Sequence, residues 1–222
     1  MKRKVIIFAA HPDDEILGCG GTIIKHTTEG DSVSIVFTCD GESSRVDDKN
    51  KIISRCNSAI SVSKLLGCNK PIFLNLKDNR LDDYNLLDVV KKIEKIINKL
   101  KPNIIYTHYK NDLNIDHQLT FKSVLTACRP LPGSTIDSIF SFEIPSSTEW
   151  SATKESFTPQ KYIDISRYVK KKKAALKMYE KEMRKFPHPR SYSVVEAIQN
   201  FRGASSGCDA AEAFVIIREV IR

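Results

Sequence analysis

The chain has 222 residues, of which 41% are hydrophobic and 28% charged, with a formal net charge of +8. These values are typical of a globular protein large enough for one sizeable core, and they exclude collagen-like and disordered chains. The apolar runs are far shorter than the ~20 residues that span a bilayer. The first of them ends at a His-Pro-Asp-Asp-Glu sequence rather than at small residues, so we predict neither a membrane span nor a signal peptide.

The six cysteines are widely spaced and form neither a zinc-ribbon pattern nor a Cys-x-x-Cys pair. We therefore expect free thiols and a cytoplasmic protein. The charge is uneven: residues 1–150 carry 20 basic and 19 acidic side chains, whereas residues 151–222 carry 15 and 8. The basic region, densest at Lys170–Lys173, is either a solvated lysine face or a surface for an anionic partner. No nucleic-acid-binding motif accompanies it, so nucleic acid is not the expected partner.

Strands and helices alternate along the first two thirds of the chain. Buried or β-branched runs predict strands at Val5–Ala9, Ser32–Thr38, Pro71–Leu76, Ile104–Tyr106 and Ser138–Glu143. Helical periodicity and terminal signals predict helices at Glu15–Glu29, Asp48–Leu66, Asp83–Leu100 and Asp116–Cys128. This alternation predicts an α/β fold: a Rossmann-like, mostly parallel sheet with helices on both faces.

The pattern changes after about residue 145. A long loop is predicted at Pro145–Pro159, followed by helices at Ile165–Lys185 and Val194–Ala204 and a strand at Phe214–Ile221. The sequence Pro-His-Pro at 187–189 separates the two helices. We predict a single domain over residues 1–222, with the Rossmann-like core at about 1–145 and a C-terminal helical and strand extension at about 146–222.

The most informative segment is residues 11–15, His-Pro-Asp-Asp-Glu, directly after the first strand. Loops in this position line the ligand crevice of open α/β sheets. Helix N-capping by Asp13 or Asp14 explains one acid, but it does not explain a histidine and three acids together. His and Asp side chains form a suitable ligand set for zinc, so we favour a metal site. The glycines at 18, 20 and 21 lack the dinucleotide-binding spacing and are better explained by close packing of helix on sheet.

A second polar cluster, residues 108–117, follows the strand at Ile104–Tyr106 and should reach the same edge of the sheet. A catalytic zinc typically takes three protein ligands and keeps one position for water. His11, Asp14 and His117 would supply those ligands, which leaves Asp13 beside the water as a general base. A histidine at a helix start is often only a cap, and the first loop is what makes His117 a credible third ligand.

These residues resemble the PIG-L/LmbE-like family of zinc-dependent N-acetyl sugar deacetylases. The likeness begins with Ala-His-Pro-Asp-Asp-Glu and Gly-Cys-Gly-Gly-Thr. It continues through the Asn-Asp and Asp-His pairs of residues 111–117 to Pro-His-Pro-Arg-Ser at 187–191 and Ala-Glu-Ala-Phe at 211–214. The resemblance therefore covers essentially the whole chain in order.

The resemblance implies a Rossmann-like core and one zinc per chain, held by His11, Asp14 and His117, with Asp13 as the general base. Glu15 and Asp116 are expected to orient the ligands rather than bind the metal. Another divalent metal, such as iron, remains compatible with these ligands. The implied substrate is an N-acetylated amino sugar or sugar conjugate, and the products are acetate and a free amine.

One departure concerns the donor for the oxyanion. Many relatives carry a histidine three residues before the last ligand, where this chain has Asn114. Either Asn114 donates a neutral hydrogen bond, or a cation serves as the donor, for which a protonated His188 between its two prolines is the candidate. Arg55 and Arg190 are candidates for binding sugar hydroxyls or a phosphate, with structural ion pairs as the alternative. Trp150 would stack on a sugar ring or simply pack the long loop.

Two rival functions remain open: a non-catalytic sugar- or nucleotide-binding module on this fold, and a metal-dependent hydrolase of another bond. The set of three ligands plus a base argues against the first. The few additional carboxylates argue against two-metal phosphoester chemistry. The basic C-terminal region predicts a phosphate-bearing substrate such as a nucleotide-linked N-acetyl sugar. The sequence does not fix the oligomeric state, and a homo-oligomer is compatible with it.

Overall fold

A computed structural model describes residues 2–45 and 48–221, in which seven strands form one sheet of order β3-β2-β1-β4-β5-β7-β6. The strands are β1 (Lys4–Ala9), β2 (Ser32–Cys39), β3 (Ile72–Leu76), β4 (Ile104–His108), β5 (Ser138–Phe142), β6 (Lys161–Asp164) and β7 (Ala211–Glu219). The first five pair in parallel, whereas β7 is antiparallel to both β5 and β6. The predicted α/β fold with a mostly parallel sheet is thus confirmed.

Six α-helices cover the two faces of the sheet. They are α1 (Asp14–Thr28), α2 (Lys49–Leu66), α3 (Leu86–Leu100), α4 (Ile115–Ala127), α5 (Val169–Lys177) and α6 (Tyr192–Ala204). Apolar side chains of α1, α2, α5 and α6 pack on one face, and those of α3 and α4 pack on the other. None of these helices has the length and apolar character needed to cross a membrane.

The C-terminal segment completes the sheet, because β7 inserts between β5 and β6. The predicted helix at Ile165–Lys185 is wrong at both ends: the α-helix spans only Val169–Lys177, and Lys161–Asp164 forms an unpredicted strand. The chain turns after Lys177 so that Tyr179 and Glu182 become buried beside the candidate site. These tertiary contacts outweigh the helical propensity of the lysine-rich sequence.

Helix α1 is interrupted at Cys19, whose φ of −147° and ψ of 26° are not helical. Glu212 of β7 accepts hydrogen bonds from the backbone N–H groups of Gly21 and Thr22, both at 2.7 Å. The buried Lys172 ammonium lies 2.7 Å from Glu212 and 3.5 Å from the carbonyl of Leu17. These side chains satisfy backbone groups near the break that would otherwise be buried without partners. The glycines are required for packing, because a Cβ at Gly21 would lie 2.6 Å from Ile165.

Replacing Glu212 with glutamine should lower the free energy of unfolding by about 3 kcal/mol, because it leaves the buried Lys172 charge without its partner. Lys172→Met should have a comparable effect. The double variant should lose less than the sum of the two single losses, since no buried charge then remains unpaired. Urea denaturation of the wild type, the two single variants and the double variant measures this coupling. If the two losses of unfolding free energy simply add, Glu212 and Lys172 do not stabilise the fold as a pair.

A second buried polar network connects His26 with Asp31 and Tyr106. The His26 Nδ1 and Nε2 atoms lie 2.8 Å from the Asp31 carboxylate and 3.0 Å from the Tyr106 hydroxyl. Burial lowers the pKa of His26 below its ordinary value, against the opposing effect of Asp31. The unfolded chain therefore binds a proton at His26 at a higher pH than the folded chain does.

It follows that the free energy of unfolding should fall as the pH drops from about 7 to 5, through the ordinary pKa of histidine. His26→Gln should reduce this slope, even though the variant is less stable overall. Urea unfolding at both pH values checks this expectation. An unchanged slope would show that His26 binds protons equally in the folded and unfolded states.

Candidate functional site

The candidate site lies at the carboxyl ends of β1 and β4, where two loops meet. The turn after β1 carries residues 11–15, and the loop after β4 leads into α4, whose first turn carries His117. Because parallel neighbouring strands end at the same edge of the sheet, residues about a hundred positions apart come into contact there.

Three buried ligand atoms form a nearly equilateral triangle. His11 Nδ1 and His117 Nε2 each lie 3.3 Å from Asp14 Oδ2, and the two ring nitrogens are 3.4 Å apart. Tetrahedral zinc with bonds of roughly 2.0–2.1 Å requires ligand atoms about 3.3–3.4 Å apart, so the triangle has the right size. The second oxygen of Asp14 is buried without a hydrogen-bond partner. The residues present therefore fit a metal with three protein ligands.

Further carboxylates hold the outward-facing nitrogens of both imidazoles. His11 Nε2 lies 2.9 Å from Asp116 and 3.0 Å from Asp78, and His117 Nδ1 lies 3.1 Å from Asp112. Such carboxylates fix the tautomer and orientation of histidine ligands. Asp116 thus lies where the sequence predicts it, whereas Asp78 and Asp112 were not selected from the sequence. Asp112 belongs to the Asn-Asp pair at residues 111–112, which is part of the family resemblance and could have identified it.

A second group of atoms, from His11, Cys39 and Asp116, is also close enough to surround an ion. The Asp116 oxygens, however, already accept hydrogen bonds from the backbone N–H groups of Asn79 and Leu81, at 2.6 and 3.0 Å. Burial raises the pKa of the Cys39 thiol, which disfavours the thiolate. The triangle on the Nδ1 side of His11 is therefore the better metal site.

The electrostatics of the cluster favour a bound cation. Burial alone would lower the pKa of His117, but Asp14 and Asp112 raise it to about 9. The pKa of Asp112 is lowered to about 2, since the charge of His117 and several hydrogen bonds overcome the effect of burial. The carboxylates at the site thus remain ionised and stabilise positive charge placed between them.

His108, at the end of β4, is a buried neighbour that sequence reasoning did not select as a site residue. Its ring stacks on that of His117, with centroids 3.9 Å apart, and its Nε2 accepts the backbone N–H of Ala10 at 2.8 Å. Burial and the neighbouring His117 lower the pKa of His108 well below its ordinary value. A neutral His108 therefore supports the ring of His117 and the turn after β1.

Asp13 adopts an unusual backbone conformation, with φ 137°. The Glu15 carboxylate stabilises this turn by accepting the Asp13 backbone N–H at 3.0 Å, and it also accepts the Tyr179 hydroxyl at 2.8 Å. Burial raises the pKa of Glu15 to about 8. A strained residue fixed in this way at a cluster of ligands is typical of a functional site.

Two arginines flank the Asp13 carboxylate. Arg55 Nη2 lies 3.1 Å from one oxygen, and Arg190 Nη1 donates to the other at 3.0 Å. The Arg55 side chain is buried, and its other nitrogens bond to the carbonyls of Pro12 and Gly41 and to Glu42 and Glu182. These contacts agree with the structural alternative for Arg55, whereas its binding of substrate stays a prediction. Arg190 is less buried and can reach both Asp13 and a ligand.

The two candidates for the oxyanion donor, Asn114 and His188, make different hydrogen bonds. The Asn114 side chain caps α4 by accepting the backbone N–H groups of Asp116 and His117, and its amide donates to Asn79. His188 is half-buried, and its Nδ1 accepts the backbone N–H of Arg190 at 3.0 Å. This bond requires a lone pair on Nδ1, so the proton of a neutral His188 is on Nε2, where it can be donated.

Trp150 lies beside His188, with ring centroids 5.8 Å apart, and half of its surface is exposed. Its loop is attached to the site because Thr148 and Ser147 donate hydrogen bonds to Asp112, the partner of His117. Trp150 therefore presents an exposed ring on a loop that is hydrogen-bonded to Asp112, and its stacking on a sugar stays a prediction.

Comparisons with known proteins show the family to which this chain is similar. The family described as PIG-L: GlcNAc-PI de-N-acetylase matches residues 6–128. A relative named the uncharacterized deacetylase YaiS, from Escherichia coli strain K12, is 31% identical over 186 residues, which cover 81% of this chain and 92% of YaiS.

Two solved structures share the fold. The N,N'-diacetylchitobiose deacetylase of Pyrococcus horikoshii superposes with a TM-score of 0.78 at 22% identity, covering 97% of this chain and 84% of that chain. GalB, the 4-carboxy-2-hydroxymuconate hydratase of Pseudomonas putida KT2440, superposes with a TM-score of 0.79 at 19% identity, covering 100% and 98%. The fold thus occurs with more than one activity, whereas the sequence match identifies the family. This chain belongs to the PIG-L family, the family of GlcNAc-PI de-N-acetylase.

Proposed function

We propose that this protein is a metal-dependent amidohydrolase that removes the N-acetyl group from an amino sugar or an amino-sugar conjugate. The observation that carries the proposal is the triangle of His11, Asp14 and His117, with the Asp13 carboxylate on the same turn. The family match and the deacetylase relatives support the type of bond. A zinc ion bound there would lower the pKa of water toward ~7 and polarise the acetamide carbonyl.

Asp13 is the general base in this proposal. Arg55 and Arg190 hold its two carboxylate oxygens, and the Glu15 bond to its backbone fixes its direction. Asp13 takes one proton from the attacking water as the water oxygen bonds to the acetyl carbon. It then delivers that proton to the sugar nitrogen as the carbon–nitrogen bond breaks. The products are acetate and the free amine.

His188 is the proposed donor to the carbonyl oxygen as negative charge develops on it. Its Nε2–H is available because Nδ1 is held by the backbone of Arg190. We assign the exposed ring of Trp150 to stacking on the sugar or on its attached group. Arg190 is the proposed contact for a hydroxyl or phosphate oxygen of the substrate.

A panel of substrates tests the proposal. Metal-loaded protein should release acetate and amine in equal amounts from at least one N-acetylglucosamine derivative, whether free, nucleotide-linked or lipid-linked. The excess of basic residues in the last third of the chain favours a phosphate-bearing conjugate. Raising the salt concentration should then raise KM, because screened charges attract the substrate less. Turnover of a hydroxymuconate-type acid without any amide hydrolysis would instead favour a hydratase.

A further inference from the structure

A cavity of about 440 Å³ lies between α2 and residues 177–182, and its lining includes Arg55, the ion-pair partner of Asp13. We call it the α2 cavity. Four buried side chains line it: Glu42, Arg55, Tyr179 and Glu182. Four basic side chains also line it: Arg45, Lys51, Lys177 and Lys181. The volume is large enough for a small organic ligand.

The charges in the α2 cavity are only partly neutralised by the protein itself. Glu42 lies 3.0 Å from Arg55, and Glu182 lies 3.1 Å from both Arg55 and Arg45. In the described part of the chain, the ammonium groups of Lys51, Lys177 and Lys181 form no ion pair, and the one further acid in the lining is Glu180. An excess of positive charge therefore faces a partly enclosed space, where its attraction for anions exceeds that of an open surface.

The lining of the α2 cavity is also directly connected to the candidate catalytic turn. Arg55 joins Glu182 to the Asp13 carboxylate, and the Tyr179 hydroxyl is bonded to Glu15, which holds the Asp13 backbone. An anion that repels the Glu182 carboxylate or attracts the Tyr179 hydroxyl changes the support of Asp13. The cavity is thus placed to sense an anion and to affect the base through one intervening side chain.

We propose that the α2 cavity binds a phosphate group, with Lys51, Lys177 and Lys181 as its cationic partners. Lysines on separate elements can surround the several oxygens of a phosphate, and lysine is a common phosphate-binding residue. The phosphate belongs either to the conjugate that carries the N-acetyl sugar or to a separate small molecule. The binding itself does not depend on which bond the enzyme cleaves, so this inference goes beyond the proposed function.

Inorganic phosphate is the probe for the binding test. Its dissociation constant is measured by calorimetry on metal-loaded protein, at constant ionic strength adjusted with chloride. Lys51→Gln/Lys181→Gln should raise this constant at least about tenfold, whereas the control Lys91→Gln/Lys95→Gln on α3 should leave it unchanged. Both pairs remove two exposed charges, so a general loss of positive charge affects them equally. Equal phosphate affinity in the two double variants would overturn the proposal, since binding would then lie elsewhere.

Kinetics identify the source of the phosphate. If the phosphate belongs to the substrate, Lys51→Gln/Lys181→Gln should raise KM for a phosphate-bearing N-acetyl sugar. The KM for the uncharged sugar should not change. If it belongs to a separate molecule, inorganic phosphate should change kcat for the uncharged sugar in the wild type but not in that variant. Either result supports the site. Failure of the proposed deacetylation would appear as absent turnover with phosphate binding intact, so the two ideas fail separately.

Discussion

Asp13→Asn should lower kcat for acetate release by ~10²–10⁴, the usual contribution of general acid–base catalysis, and should retain the metal. The asparagine cannot take a proton from water, but it fits the same space. It also keeps the backbone N–H that the Glu15 carboxylate accepts, so the turn should persist. The measurement is steady-state kinetics, together with metal analysis of the purified variant.

The matched control for this substitution is Asp88→Asn, an exposed acid in the first turn of α3. It should leave both kcat and metal content at wild-type values. Loss of metal in Asp13→Asn, with kcat per bound metal unchanged, would mean that Asp13 is a ligand and that the roles of the two aspartates must be exchanged.

His188→Ala should lower kcat by ~10²–10³, because it removes a donor to the developing oxyanion. Metal content should not change, since the contacts of His188 are with Arg190 and Trp150 rather than with the ligands. His188→Gln should recover part of the rate if its amide N–H reaches the same oxygen. A normal kcat in the alanine variant would contradict this assignment.

Asn114→Ala provides the comparison. The loss of the α4 cap should lower the free energy of unfolding by about 1 kcal/mol and affect kcat less than His188→Ala does. If Asn114→Ala instead gives the larger loss of kcat without loss of stability, Asn114 is the donor despite its capping bonds.

The features predictable from the sequence are those encoded by contiguous residues. The alternation of strands and helices and the His-Pro-Asp-Asp-Glu turn indicated the sheet, the edge where the candidate site lies and two of the three candidate metal ligands. Asp78 and the packing of His108 depend on loops that meet only in the folded chain. Arg55 illustrates the same limit: its residue type suggested ligand recognition, but four protein partners from distant segments use its donors. The overlong helix prediction at Ile165–Lys185 failed because the burial of Tyr179 and Glu182 reverses a local preference.

The central feature of the proposed function is one metal ion, held by His11, Asp14 and His117 at the site of amide hydrolysis. The most direct test is zinc titration of chelator-stripped protein, with metal binding and acetate release followed in the same samples. Acetate release should rise linearly and reach its maximum at one zinc per chain, and His11→Ala should show neither tight binding nor activity. Full acetate release by stripped protein, or tight zinc binding by His11→Ala, would contradict the account.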